Sequence, residues 1–268
     1  MAAAENTIID IHAHFLNSVD DGSQSLEQSL AMIKQAEANG ISFLAATPHA
    51  TDMTNDALSQ LFLDSFARLQ REVQRARIKI DLVLGAELFF SPHIYEWFRY
   101  PWSTFNNNKK YLLFELPLYE LPGGVSDFIF QCRLKGLTPI LAHPERYHYM
   151  HKMENKLLEW HRQGCLLQTN AGSVTGQFGQ KVQAFARRLL KAHMVHFIAS
   201  DAHDETYRNY EVMPQAREIT LKFLPEWYVD QLFKENPQKA LAGVPLQPPA
   251  VNTHELKGGW HKLLARFS

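Results

Sequence analysis

Apolar residues arrive along this chain in short runs, with longer amphipathic stretches between them. The runs are TIIDIH (7–12), SFLAAT (42–47), IDLVLGAE (80–87), YLLFEL (111–116), TPILAH (138–143), CLLQTN (165–170) and VHFIAS (195–200). Continuous apolar runs of this length read as strands buried on both faces, which is how parallel sheets are built. The stretches between them carry helical spacing. SLEQSLAMIKQAEANG (25–40) places Leu26, Leu30, Ile33 and Ala36 on one face and stops at Gly40, a natural C-terminal cap. LSQLFLDSFARLQREVQRA (58–76) and FGQKVQAFARRLLKAH (178–193) are two more amphipathic helices. Strand followed by helix, repeated about seven times, predicts an α/β fold of the βα-barrel kind. No G-x-G-x-x-G follows the first strand, which argues against a dinucleotide-binding sheet.

Length and composition narrow the class. The 268 residues suit one barrel domain, expected over 1–250, with PLQPPAVNT (245–253) as its exit and residues 251–268 as a tail. HELKGGWHKLLARFS at the end reads as a short basic amphipathic helix packed on its own domain. A net charge of −1 supplies no field that would draw the chain onto nucleic acid. No apolar stretch approaches a membrane span, and MAAAENT (1–7) lacks the pattern of a signal peptide. With only Cys132 and Cys165, a reducing, cytoplasmic setting is the simpler expectation.

Barrel enzymes build their sites on the loops at the C-terminal ends of the strands. Here those ends carry His12 and His14 with Asp20-Asp21-Gly22, then His49, Glu87, Glu115, His143 with Arg146, Asn170, and Asp201 with His203. One histidine at a strand end can simply meet backbone. A carboxylate inside LLFELP is costly to bury unless it is paired or bound to a cation. Nine imidazoles and carboxylates at one mouth exceed the needs of a single zinc and suit two or three ions of the manganese, iron or zinc type. Arg146 and Arg208 beside such a cluster present planar forks that match phosphate oxygens.

Together the blocks H-x-H, TPH, AHPER and SDAH resemble the PHP superfamily, named for polymerase and histidinol phosphatase. VDDGSQSLEQSL, ATPHATD, LGAELF, LLFELP, PILAHPERY, QTNAGSVTGQFG and VHFIASDAHD are similar to the bacterial CpsB/CapC family, in order, from about residue 7 to 245. The resemblance implies a single-domain, distorted (β/α)7 TIM-like barrel of the PHP fold. It also implies a metal-dependent protein tyrosine phosphatase linked to capsule and exopolysaccharide synthesis, with three divalent ions. Manganese is the usual metal, with iron, zinc or magnesium as alternatives. Carried over, His12, His14, Glu87 and Asp201 hold one ion. Glu87 bridges to a second, completed by Glu115 and His143, and Asp21, His49 and His203 hold the third. Alignment on DDG chooses Asp21 over Asp20. Arg146 and Arg208 clamp the phosphate. The implied substrate is the phosphotyrosine-bearing tail of a bacterial tyrosine kinase; whether the chain forms a homo-oligomer is left open.

The mechanism expected from this set is in-line attack on phosphorus by a hydroxide shared between ions. A tyrosine leaving group, with a phenol pKa of about 10, needs little help from a general acid. The thiolate route is excluded: it needs an arginine six residues after the cysteine, where this chain has Thr138 and Ala171. Both cysteines therefore read as core thiols. Phe15, Phe89 and Tyr147 either pack on a phosphotyrosine ring or fill core. Three rivals differ in testable ways. A histidinol-phosphate phosphatase shares the cluster but prefers an alkyl phosphate. A nuclease needs a basic, aromatic-rich stripe. A non-catalytic metal-binding regulator would have lost a ligand or an arginine, and none is missing.

Overall fold

A computed structural model describes residues 7–256. All seven apolar runs form strands; the third is broken within the run, and the second is followed by a short extra strand. β1 is Ile8–Ala13. The second run forms β2 (Ile41–Ala46), which the short β3 (His49–Ala50) follows after a break, and the third is split into β4 (Asp81–Leu84) and β5 (Glu87–Phe89). β6 (Tyr111–Glu115), β7 (Thr138–Leu141), β8 (Leu166–Asn170) and β9 (Phe197–Ala199) are continuous. Every pairing is parallel. The strands form one sheet ordered β1-β2-β4 and another ordered β3-β5-β6-β7-β8-β9. The sheets join through the broken strands, because Gly85 N–H donates to Ala46 O and Glu87 N–H to Pro48 O. They meet again at the ends of the chain order, where Asp201 N–H donates to His12 O and His14 N–H to Ala202 O. The result is a curled parallel barrel of seven staves with two seams.

Its lumen is filled by one apolar cluster to which all seven staves contribute. Ile9, Ile11, Ala45, Val83, Leu113, Ile140, Leu166 and Phe197 belong to it. The helices cover the outside. α1 (Leu26–Ala38) begins at Ser25, whose side chain accepts from Gln28 N–H, and Gly40 follows it at φ +79°. α2 (Asp56–Arg75) is capped by Asn55. α3 (Val125–Leu134), α4 (Glu154–Arg162), α5 (Ala171–Thr175), α6 (Gln180–Lys191) and α7 (Val212–Leu221) complete the outer layer, and short helical turns extend to Leu241. Residues 245–253 do not leave the barrel. They run back beneath it, with Leu246 N–H donating to Tyr111 Oη and Asn252 N–H to Ala192 O. Thr253–Glu255 forms a single 3-10 turn. The rest of the expected amphipathic tail helix, 257–268, lies outside the described residues, as does nearly all of MAAAENT.

One irregularity positions the site. Between Asp10 and Ala13 the chain takes three steps on β1 against two on β2, from Leu44 to Ala46. That is a β-bulge. Ile9 and Ile11 fill the lumen below it, and His12 and His14 turn into the mouth above it, although strict alternation would put Ile11 and His12 on opposite faces.

Candidate metal centre

The loop after β1 folds back tightly on its own strand. Ser23 N–H donates to His14 O at 3.0 Å. Gly22 is required here, since a Cβ at this position would sit 2.0 Å from His14 O. The turn separates the two aspartates. Asp20 lies behind the site, where its Oδ2 meets His14 Nδ1 at 2.7 Å and accepts from His49 N–H at 3.1 Å. Asp21 reaches over the mouth, with Oδ1 3.5 Å from His49 Nε2 and 3.4 Å from His203 Nε2.

Glu87 is the hub. It is fully buried, at the point where the third stave resumes as β5. Its Oε2 lies 3.1 Å from His12 Nε2, 3.4 Å from His14 Nε2 and 3.1 Å from His49 Nδ1. Its Oε1 lies 2.9 Å from His143 Nε2. Glu115, at the end of β6, approaches His49 Nδ1 at 3.0 Å and His143 Nε2 at 3.9 Å. Asp201 closes the opposite side. Its Oδ1 lies 3.5–3.6 Å from His12 Nε2, His14 Nε2 and His203 Nδ1. Its Oδ2 accepts from Arg146 at 3.1 Å, Arg208 at 2.5 Å and Asn170 Nδ2 at 2.6 Å. Both His143 (φ +32°) and Asp201 (φ +55°) sit in the left-handed region, where a side chain is strained and strand direction is broken.

All nine metal-ligand candidates and both arginines thus converge on one mouth. The tightest groupings are His14, Asp21, His49 and His203; His12, His14 and Glu87; and His49, Glu87 and Glu115, each with ligand atoms within 4.8 Å of one another. They overlap the sets implied by the resemblance without copying them. His14 also joins the Asp21 group, and His49 also reaches Glu87 and Glu115. His143 and Asp201 stand just outside these groupings, at hydrogen-bond or ion-pair distance.

The donor set fits cations. Buried Glu87 Oε2 and His49 Nδ1 face each other without a hydrogen bond. The Nε2 atoms of His12 and His14 converge at 3.2 Å. Two polar side chains outside the expected set fix the rings. His12 Nδ1–H donates to Gln168 Oε1 at 3.0 Å, and His14 Nδ1–H donates to Asp20, so each Nε2 is directed inward. Gln168 is held in turn by Asn170 at 2.9 Å. Electrostatics agree. Burial opposes charge on Asp201, yet Arg208, His12 and His203 hold its carboxyl well below the usual range. Burial likewise opposes charge on His12 and His49, but Glu87 and its neighbours raise them to about 9 and about 10. The same field of carboxylates favours a bound cation. His203 moves the other way, lowered by burial and by His14.

For two of the three aromatics the alternative of core packing holds. Phe15 and Tyr147 are completely buried, and the Tyr147 hydroxyl accepts from Leu116 N–H, so neither ring can meet a substrate. Phe89 is half-buried and packs on the core. Both cysteines are buried free thiols; burial pushes Cys132 up to about 12 and Cys165 further. Among the described residues, no helix is long and apolar enough to cross a membrane.

Known proteins carry the same chain organisation. Tyrosine-protein phosphatase YwqE of Bacillus subtilis is 28% identical over 244 residues, spanning 90% of this chain and 95% of that protein. Tyrosine-protein phosphatase CpsB of Streptococcus agalactiae is 28% identical over 243 residues, spanning 87% and 98%. A solved structure from work on YwqE of Bacillus subtilis and CpsB of Streptococcus pneumoniae, described as metal-dependent tyrosine phosphatases, matches with a TM-score of 0.84 at 27% identity. The match covers 94% of this chain and 100% of that one. The family model for capsular polysaccharide synthesis, CpsB/CapC, matches residues 8–242, from β1 through the helical turn that ends the barrel. With this match spanning the staves and every loop at the mouth, the chain belongs to the CpsB/CapC family.

Proposed function

We propose that this chain is a metal-dependent protein tyrosine phosphatase. Its substrate would be the phosphotyrosine of a bacterial tyrosine kinase that controls capsule or exopolysaccharide synthesis. The observation that carries the reading is the convergence of two arginines on the same carboxylate oxygen, at the edge of a histidine–carboxylate cluster fit for cations. The tyrosine phosphatases named among its relatives supply the leaving group.

Three divalent ions, manganese first, would be held by His12, His14, Glu87 and Asp201; by Glu87, Glu115 and His143; and by Asp21, His49 and His203. When bound, they supply Lewis-acid charge against the phosphoryl oxygens and lower the pKa of water. The remaining work falls to the chain. Arg146 and Arg208, each about one-fifth exposed, present their free guanidinium N–H groups to the phosphate while Asp201 anchors them. The lumen beneath the site is apolar, which strengthens each of these contacts. A phenolate leaves without needing a strong acid, so no dedicated proton donor is invoked.

The test is hydrolysis of a phosphotyrosine peptide beside histidinol phosphate, with manganese-loaded protein and His12→Ala. Release from the peptide, lost in the variant, is the expected result. Preference for histidinol phosphate would move the chain to the metabolic branch of the superfamily.

A further inference from the structure

Arg146 has a second neighbour besides Asp201. Its guanidinium lies over the Phe178 ring, 4.8 Å from the centroid. On the outer side of this pair is a pocket of about 250 Å³ lined by Leu118, Tyr119, Arg146, His148, Phe178 and Val182. Drug-sized ligands fill roughly 300–1,000 Å³, so this space suits a single side chain.

The backbone beside each wall is anchored. Leu118 and Tyr119 follow three and four residues after Glu115. The base of their loop is tied by Leu116 N–H to the Tyr147 hydroxyl at 2.9 Å and by the Tyr149 hydroxyl to Pro117 O at 2.8 Å. Phe178 stands on the turn after α5. Gln177 N–H donates to Gly172 O at 2.8 Å, and Gln177 Nε2 donates to Tyr207 O at 2.5 Å. Gly172 admits the Phe178 ring because a Cβ there would lie 2.9 Å from Phe178 Cε2. The lining has a cationic end at Arg146, the His148 imidazole, apolar walls from Leu118, Phe178 and Val182, and no carboxylate. That is the complement of an aryl phosphate, whose ring is one bridging oxygen from its phosphorus.

We propose that this pocket seats the aromatic ring of the phosphotyrosine, with Leu118, Tyr119 and Phe178 as the residues that favour an aryl over an alkyl phosphate. The proposal rests on the tyrosine-phosphatase reading above. It assigns to Tyr119, 93% exposed in this structure, a reason to present a ring at the rim. A substrate without a ring leaves the apolar walls wet and forfeits that contact.

The experiment compares manganese-loaded wild type with the Leu118→Ala/Tyr119→Ala double variant on phenyl phosphate and on acetyl phosphate, an activated phosphate with no ring. Both side chains are exposed, and acetyl phosphate turnover reports that the variant is folded and competent. The ratio of kcat/KM for phenyl over acetyl phosphate is expected to fall about tenfold, chiefly through KM. An unchanged ratio overturns the proposal while leaving the phosphatase reading intact. Wild type that cleaves acetyl phosphate but no aryl phosphate would overturn both.

Discussion

Arg146 and Arg208 meet at a single atom: the Nη1 of one and the Nη2 of the other lie 3.1 Å and 2.5 Å from Asp201 Oδ2. They come from the loops after β7 and β9, and Asn170 from the end of β8 joins them there. Three neighbouring staves thus aim their donors at one point beside the cluster. Replacing either arginine with alanine should lower kcat/KM on a phosphotyrosine peptide by about 10²–10³-fold with metal content unchanged. Lysine should restore only part of the loss, because it lacks the planar fork. Equal activity of Arg208→Ala and wild type would remove it from the phosphate clamp.

Asp20 and Asp21 should separate in a metal assay. Asp21 faces His49 and His203, whereas Asp20 orients His14 from behind. Asp21→Asn should lose a bound ion outright. Asp20→Asn and Gln168→Leu should keep the full set at saturation but bind it roughly 10–100-fold more weakly, as expected for groups that orient a ligand. Metal content measured across a chelator titration distinguishes the two patterns. Asp20→Asn losing an ion at saturation would reverse the assignment.

Gly22→Ala should destabilise the protein and disturb the site together. Its Cβ would fall 2.0 Å from a backbone oxygen of the very residue that supplies a site imidazole, and backbone cannot rotate away. A cost of about 1–3 kcal/mol is expected for such overpacking, read as a lower denaturant midpoint with weaker metal uptake. A variant as stable as wild type would mean that the loop relaxes freely.

His161 and His196 predict an acid limb of stability away from the site. Their rings lie 5.0 Å apart, and each is held neutral, lowered by burial and, in His196, further by His161. The unfolded chain takes up these protons near pH 6.5, and the folded chain does so only at lower pH. Stability from this pair is therefore complete above about pH 6.5 and falls as pH drops below it, by up to ~1.4 kcal/mol per pH unit for each such group. His196→Asn keeps an acceptor for Leu167 N–H, which bonds His196 Nδ1 at 3.0 Å, and removes the titration. Denaturant midpoints between pH 7.5 and pH 5 should fall less steeply in this variant (about pH 5–7.5 brackets the window). Parallel slopes would contradict the assignment.

How much of this was legible in the sequence follows from what kind of signal each feature leaves. The seven staves were readable because buried parallel strands are written as apolar runs. The strand-end residues were readable because a Glu115 or a Glu87 in such a run has no cheap burial. The breaks between β2 and β3 and between β4 and β5 were not, since they arise from how neighbouring staves hydrogen-bond. The bulge in β1 hid behind an H-x-H that reads as simple alternation. Gln168 left a faint trace: it lies two residues before Asn170 in an apolar strand, on the same face, but its partner is 156 residues away in sequence. Aromatic roles were the least legible. Phe15 and Tyr147 neighbour the mouth in sequence and lie beneath it in space, whereas Phe178 and Tyr119 reach the rim through turns whose geometry depends on Gly172 and the Tyr147 hydroxyl.

The central claim is that the histidine–carboxylate cluster holds cations that this chain needs to hydrolyse phosphotyrosine. Its most direct test is a manganese titration of metal-stripped protein, with bound metal and phosphate release from a phosphotyrosine peptide measured on the same samples. The account predicts that activity is absent without metal, rises with occupancy to three ions per chain, and is lost with an ion in Glu87→Gln. Full activity in the stripped protein, or full metal occupancy with no phosphate released, would contradict it.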